Sequence, residues 1–389
     1  MFVSGASWGD TPPTEQLRTV PDAGDDPEMT TAATATGRFF ATGHSQVVDE
    51  HDRILWQTLQ GQTEGGKRFR PALLTRLYTA LGGQDHQVAG AVGESIELLH
   101  TAFVIHDDVI DGDQVRRGRP NLGGTFDARA RALGAATDRA RHYGEAAGIL
   151  AGDLALAGAV RTIALCGAPA HVVVRLLDLL EEVLHRSAAG ELADVRVSMT
   201  ADASLQETLD IAEWKTAAYS FELPLRAAAI LADSSTEVCS ALAAVGRCLG
   251  TAFQLLDDLD GVFGQQEQTG KDPLSDLREG KCTALVTFAR ATPEWEELAR
   301  HVGDPSITSD NARRARELLA ACGARRAVET LVHDLRETAL AGAAMLPAEA
   351  RATLRDMIES LVPDDRGQPV PVTADGATAP SLTSLQGAA

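Results

Sequence analysis

The chain has 389 residues, 44% of them hydrophobic, 23% charged and only 4% aromatic. Its 35 Lys and Arg against 55 Asp and Glu give a formal net charge of −20, which excludes a general nucleic-acid binder, because such a protein needs a basic face for phosphates. A small anionic substrate stays open, since clustered cations or bound metal ions reverse the field locally.

Taken in chain order, residues 1–30 hold six acids, one base and several prolines, with little periodic hydrophobicity. They predict a disordered acidic tail over 1–36, and residues 363–389 read as a second tail. The N-terminus has neither a basic nor an apolar signal region, so no signal peptide is expected. Cys166, Cys239, Cys248, Cys282 and Cys322 are scattered and form no CxxC pair, which predicts reduced thiols in a cytoplasmic protein. The most apolar stretches are interrupted by Asp153, Arg161 and Arg175, so no membrane span is expected.

Residues 37–362 carry apolar residues at helical spacing, such as Leu73, Leu74, Leu77 and Leu81, then Leu176, Leu177, Leu180 and Leu184, then Leu242, Val245 and Leu249. Strand-like alternation is almost absent. Gly, Pro and Asp breaks fall near 61–66, 82–86, 118–124, 167–169, 233–236, 261–273 and 303–310. No internal repeat or linker divides the body. The reading is one all-α domain of roughly ten or more helices.

Two aspartate clusters lie in helical contexts. In His106-Asp107-Asp108-Val109-Ile110-Asp111, Asp107 and Asp111 are one turn apart with Asp108 beside them, so their carboxylates converge on one face. In Gln254-Leu255-Leu256-Asp257-Asp258, the polar side carries Gln254, Asp257 and Asp258. Either cluster alone reads equally as a solvated helix end. Two clusters, each after an apolar run, favour a bound cation that relieves the repulsion. Carboxylates without His or Cys partners suit a hard ion, and Mg²⁺ takes one or two of them together with phosphate oxygens and water. The acids therefore predict a metal–diphosphate site.

Grouped cations complete the pattern: Gly65-Gly66-Lys67-Arg68-Phe69-Arg70-Pro71, Arg116-Arg117-Gly118-Arg119-Pro120 after the first cluster, Lys215-Thr216, and Lys271 and Lys281 after the second. Together they look like phosphate-binding groups, although a lone Lys-Thr is more simply a surface feature.

At these motifs the sequence resembles the trans-isoprenyl diphosphate synthase (polyprenyl synthetase) family, over about residues 37–360. GGKRFRP at 65–71, HDDVIDGDQVRRGRP at 106–120, KT at 215–216, FQLLDD at 253–258, TGK at 269–271 and SDLREGKCT at 275–283 follow the family's order. The likeness is to geranylgeranyl diphosphate synthases in particular. It implies a single large helical bundle of the isoprenoid synthase type with a central hydrophobic cavity, and a homodimer.

The resemblance also implies roles. Asp107, Asp108, Asp111, Asp257 and Asp258 would hold three Mg²⁺ ions brought in with an allylic diphosphate. Arg116, Lys215, Thr216, Gln254, Lys271 and Lys281 would contact that diphosphate, with Asp107, Asp108, Asp111, Lys215 and Asp257 the catalytic set. Lys67, Arg70, His100 and Arg117 would bind isopentenyl diphosphate. His100, seven residues before Asp107 and on the same face, reads otherwise as a core histidine, and His106 reads as structural. The second motif departs from the family: Gly261 stands where a third Asp is usual. Asp260 lies about 100° round the helix from it and is no replacement. Metal affinity is the property this touches.

The implied reaction is a head-to-tail condensation in which metal and cations stabilise the departing diphosphate. Phe103, one turn before Asp107, with Ala102 and Leu99 would line the chain-length pocket. One aromatic beside a small Ala leaves room for a C20 product, with C15 second and C25 or longer third. Phe103 reads otherwise as helix-packing core. A reading from another class is a non-catalytic subunit of a prenyl synthase, which would be expected to have lost first-motif ligands that are intact here.

Overall fold

The computed structural model describes residues 34–64, 68–116, 118–200, 203–264 and 275–364. In chain order these form α1 (Ala35–Ser45), α2 (Glu50–Thr63), α3 (Phe69–Ala80), α4 (His86–Asp111), the strands β1 (Val115–Arg116) and β2 (Arg119–Pro120), α5 (Leu122–Ala132), α6 (Thr137–Ala164), α7 (Ala170–Thr200) and α8 (Leu205–Ile211). A π-helix (Ala212–Glu222) follows, then α9 (Leu223–Leu231), α10 (Thr236–Phe263), α11 (Ser275–Glu279), α12 (Ala284–Arg290), α13 (Trp295–Leu298), α14 (Ser309–Ala321), α15 (Ala324–Gly342) and α16 (Ala348–Leu361). The all-α expectation holds, apart from one antiparallel two-residue pairing at 115–120. The tails foreseen over 1–36 and 363–389 fall almost wholly outside the described residues, and α1 already begins at Ala35.

Helix α4 shows why these segments fold as they do. The Asp85 carboxylate accepts from Val88 N at 3.0 Å and caps the start. Apolar residues at helical spacing, Val88, Val92, Ile96, Leu99 and Ala102, are buried along its length. Gly112 stops it in the left-handed conformation, at φ 73°, that a residue with a Cβ rarely adopts.

Helix α6 presents α4 with a flat face of Gly148, Ala151, Gly152, Ala155 and Ala159, while Gly144 admits α5 at Gly123. A Cβ at Gly148 would stand 2.4 Å from Val109 Cγ2, and one at Gly152 would run into the His106 ring. Small residues are therefore what let the two axes close up. The Ser95 hydroxyl adds a bond across the interface, donating to the Ala159 carbonyl at 2.8 Å. His106 packs against α6, its Nε2 3.4 Å from the Ile149 carbonyl and 3.5 Å from Asp153.

By length and composition alone α4, α6 and α10 are each apolar enough to cross a membrane, with mean hydropathy 1.4 over 18 residues. This corrects the expectation drawn from the charge-interrupted runs: isolated charges leave the average high. Between 44% and 61% of those windows is buried inside the molecule.

The π-helix is the irregular element of the bundle. Its wider turn is admitted by glycines on both neighbours. A Cβ at Gly190 of α7 would lie 2.5 Å from Lys215 N, and one at Gly250 of α10 would lie 2.5 Å from Ala217 Cα. Its last residue, Glu222, is only 1% exposed, and its carboxylate meets Arg186 of α7 at 2.7 Å, Arg226 of α9 at 2.9 Å and Arg247 of α10 at 3.5 Å. The other arm of Arg186 reaches Glu213 at 2.7 Å, so one guanidinium ties both ends of the π-helix to α7. Short-period helical reading could not foresee either feature.

Candidate active site

The first aspartate cluster occupies the last turn of α4. Carboxylates there face the negative end of the helix dipole as well as each other, so they need cations close by. The strand pairing that follows supplies one. Arg116 on β1 donates through Nε and Nη2 to Asp108 Oδ1, at 2.8 and 2.6 Å, and its Nη2 lies 3.6 Å from Asp107. The pairing is seated by Gly124 of α5, where a Cβ would collide with the Gln114 carbonyl.

Lys215 of the π-helix supplies the second cation. Its ammonium lies 3.0 Å from Asp107 Oδ1, 3.0 Å from Glu191 and 2.8 Å from Asp194. Burial works to push this ammonium's pKa down, but the three carboxylates outweigh it and raise it, so Lys215 stays charged. Burial raises the Asp108 carboxyl despite its bond with Arg116. Asp111 is likewise raised, by burial first and then by Asp107, with Lys215 and Lys281 opposing. The charge of Lys281 thus reaches the first motif, although its ammonium is exposed and paired with Glu279 at 3.0 Å.

The second cluster sits near the end of α10 and is joined to the π-helix by a relay of side chains. Thr216 Oγ1 donates to Gln254 Oε1 at 2.9 Å, and Gln254 Nε2 donates to Asp258 Oδ1 at 2.8 Å. Asp257 follows Gln254 by three residues on the same helix, and Gly261 is buried.

Arg70 and His100 both reach the π-helix at Tyr219, four residues after Lys215. Arg70 donates to Ser220 Oγ through Nε at 3.1 Å and Nη2 at 3.0 Å, and its Nη1 lies 3.8 Å from Glu97 Oε1. Its guanidinium also stands over the rings of Phe69 and Tyr219, at 4.5 and 5.3 Å. His100 Nδ1 is 3.3 Å from the Tyr219 hydroxyl. Phe103 meets the Tyr219 ring edge-on at 4.9 Å. Leu99 and Ala102 are fully buried.

The structure therefore brings Asp107, Asp108, Asp111, Arg116 and Lys215 together, sets Thr216, Gln254 and Asp258 in a second chain of contacts that begins at the residue after Lys215, and gathers Arg70, His100 and Phe103 around Tyr219. Lys67, Arg117 and Lys271 lie outside the described residues. Two clefts of about 230 and 420 Å³, one lined by Arg175, Glu182 and Arg226 and the other by Arg196, Glu207 and Trp214, do not include these residues. Convergent charge, rather than cleft volume, marks the site. Sequence reasoning missed Glu191 and Asp194. Their three-residue spacing on one helix face was a signal, but nothing in the sequence said that this face turns toward Asp107.

Among the described residues no group of three or more His, Cys, Asp or Glu is arranged to hold a metal ion by itself. The donor set nevertheless fits Mg²⁺ completed by phosphate oxygens: it is all carboxylate, and Asp107 Oδ1 is buried without a hydrogen bond, facing only the Lys215 ammonium.

A model of the polyprenyl synthetase family matches residues 52–319, more than half of the chain. The chain belongs to the polyprenyl synthetase family. Its activity is that of a trans-prenyltransferase acting on isoprenyl diphosphates. A (2E,6E)-farnesyl diphosphate synthase of Mycobacterium bovis is 32% identical over 308 residues, covering 76% of this chain and 79% of that protein. A geranylfarnesyl diphosphate synthase of Aeropyrum pernix is 30% identical over 80% of this chain and 94% of its own. The structure of a geranylgeranyl pyrophosphate synthase from Corynebacterium glutamicum, complexed with isoprenyl diphosphate and magnesium, superposes with a TM-score of 0.78 at 29% identity, covering 85% of this chain and 96% of that one.

Proposed function

We propose that this prenyltransferase condenses an allylic diphosphate with isopentenyl diphosphate head-to-tail, with Mg²⁺, and releases geranylgeranyl diphosphate. The observation that carries the reading is the placement of Asp107 between Lys215 and Arg116. The cluster holds more carboxylates than cations, and it is suited to exchange partners with a metal–diphosphate pair.

Asp107, Asp108, Asp111, Asp257 and Asp258 would hold Mg²⁺, three ions by the family pattern, which when bound would supply Lewis-acid neutralisation of the diphosphate. The side chains do the rest. Lys215 and Arg116 turn from the carboxylates to the diphosphate oxygens, and their fixed charge stabilises the negative charge that grows there as the allylic C–O bond breaks. Lys281 serves the same anion, as does Lys271, which lies outside the described residues. Thr216 and Gln254 orient it. Arg70 and His100, with Lys67 and Arg117, hold isopentenyl diphosphate with its double bond beside the allylic carbon. The π electrons form the new C–C bond, and the proton lost from the adduct passes to the departing diphosphate. The hydrocarbon tail runs inward past Phe103, with Leu99 and Ala102 deeper.

The C20 assignment rests on a single first-motif aromatic, Phe103, beside the small Ala102. Likeness to the Corynebacterium glutamicum enzyme supports it. Likeness to the Mycobacterium bovis enzyme favours C15 as the second reading. A homodimer is part of the proposal, with α6 as the seam, since Ile149, Leu150 and Val160 on that helix are 48%, 58% and 38% exposed. A reducing, cytoplasmic setting is the companion reading, supported by five free cysteines. The test is incubation of the isolated chain with isopentenyl diphosphate, Mg²⁺ and each of the C5, C10 and C15 primers, followed by product sizing. A dominant C20 product is expected. A dominant C15 product overturns the length assignment, and no product without a second protein favours a non-catalytic subunit.

A further inference from the structure

Two rungs connect α4 with the π-helix. The outer rung is ionic, Asp107 with Lys215 at 3.0 Å. The inner rung is aromatic, Phe103 with Tyr219, ring centroids 4.9 Å apart and nearly perpendicular. Phe103 precedes Asp107 by four residues, close to one α-turn, and Tyr219 follows Lys215 by four, close to one wider π-turn. The two rings therefore lie together one turn below the ionic rung. Both keep some exposure, whereas Leu99, Ala102, Ala217, Ala218 and Phe221 around them have none. Among these seven side chains the two rings alone present an accessible edge, the place at which a bound chain can touch them.

Tyr219 also reaches the residues matched to isopentenyl diphosphate. Its ring stacks on His100 at 5.9 Å and 19°, its hydroxyl is 3.3 Å from His100 Nδ1, and the Arg70 guanidinium stands over its face at 5.3 Å. A single side chain thus touches both the condensing-substrate groups and the ring that borders the tail.

We propose that Tyr219 is a specificity-determining residue of this prenyltransferase: with Phe103 it forms a two-ring wall that limits product length, and through its hydroxyl it positions His100 for isopentenyl diphosphate. The inference rests on the prenyl synthase reading above. The first-motif helix offers only one aromatic toward the tail; the second comes from a different helix. The two roles separate by chemistry, because ring volume blocks the tail while the hydroxyl holds the imidazole.

The experiment compares wild type, Tyr219→Phe and Tyr219→Ala, each shown folded by its melting curve. Product length and the KM for isopentenyl diphosphate are measured with one allylic primer and Mg²⁺. Tyr219→Phe keeps the wild-type product length and kcat but raises that KM about five-fold, the effect of losing one neutral hydrogen bond. Tyr219→Ala lengthens the product by at least one C5 unit. Should Tyr219→Ala unfold, Tyr219→Val shortens the same wall and is read in its place, with the same lengthening expected. A wild-type product from the truncated variant overturns the wall, and an unchanged KM in Tyr219→Phe overturns the positioning role. A wild-type chain that condenses no primer overturns the prenyl synthase reading itself, which is a different result from either.

Discussion

Lys215 Nζ lies 3.0 Å from Asp107 Oδ1, and two further carboxylates, Glu191 and Asp194, face the same ammonium. Three acids around one cation leave a local excess of negative charge beside Asp111. The substrate-free site is therefore poised for more positive charge, and the cations in it are already committed to protein carboxylates.

That commitment predicts synergy in ligand binding. Inorganic diphosphate alone must draw Lys215 and Arg116 away from their acids, and Mg²⁺ alone must displace the same cations. Together they satisfy both sets. Calorimetric titration of inorganic diphosphate should give a Kd at least about ten-fold lower with Mg²⁺ than without, about 1.4 kcal/mol of coupling. Equal affinity in the two conditions contradicts the exchange.

Gly190 sets how closely α7 approaches the π-helix. In Gly190→Ala the new Cβ would lie 2.5 Å from Lys215 N, a backbone atom that has no rotamer to retreat into. A displacement of about 1 Å at Lys215 is expected to lower kcat about 100-fold. Near-wild-type turnover by a folded Gly190→Ala protein would show that the glycine has no such role.

Glu222 tests the interior rather than the chemistry. Removing a carboxylate that is 1% exposed leaves Arg186, Arg226 and Arg247 clustered without their shared anion. Glu222→Ala should lose about 3–5 kcal/mol in denaturant unfolding, the cost of breaking a buried ion pair from one side. A loss below about 1 kcal/mol would mean that the guanidiniums find other partners.

Glu97 gives a pH signature. Burial pushes its carboxyl above the ordinary glutamate value, and the charges of Arg70 and Arg68 offset this only in part. Between the ordinary and the raised value the folded chain holds a proton that the unfolded chain has released. This contribution to stability is full below the ordinary value and is lost as pH rises through the raised one. Melting temperature measured against pH should show that slope in wild type and lack it in Glu97→Gln. Parallel curves would remove Glu97 as its source.

What the sequence made legible follows from how local each feature is. Helix α4 and its aspartates could be read because the break near 82–86, the apolar run and the Asp107–Asp111 turn all lie within one segment. Arg116 was legible as a neighbour of that segment. Glu191 and Asp194 were not, since their meaning depends on which face α7 turns toward Lys215. The π-helix escaped a reading tuned to 3.6 residues per turn, and with it the Tyr219 ring beside Phe103. Glu222 resembled an ordinary helical acid until three arginines from three helices closed around it.

The measurement that bears most directly on the central claim compares the isolated wild-type chain with Asp107→Ala, each with and without Mg²⁺, for incorporation of isopentenyl diphosphate into longer prenyl diphosphates. Wild type should turn over only with Mg²⁺, and Asp107→Ala should fall by about 1,000-fold or more, the scale on which loss of one electrostatic stabiliser acts. Mg²⁺-independent turnover, or an Asp107→Ala enzyme as active as wild type, would contradict the account.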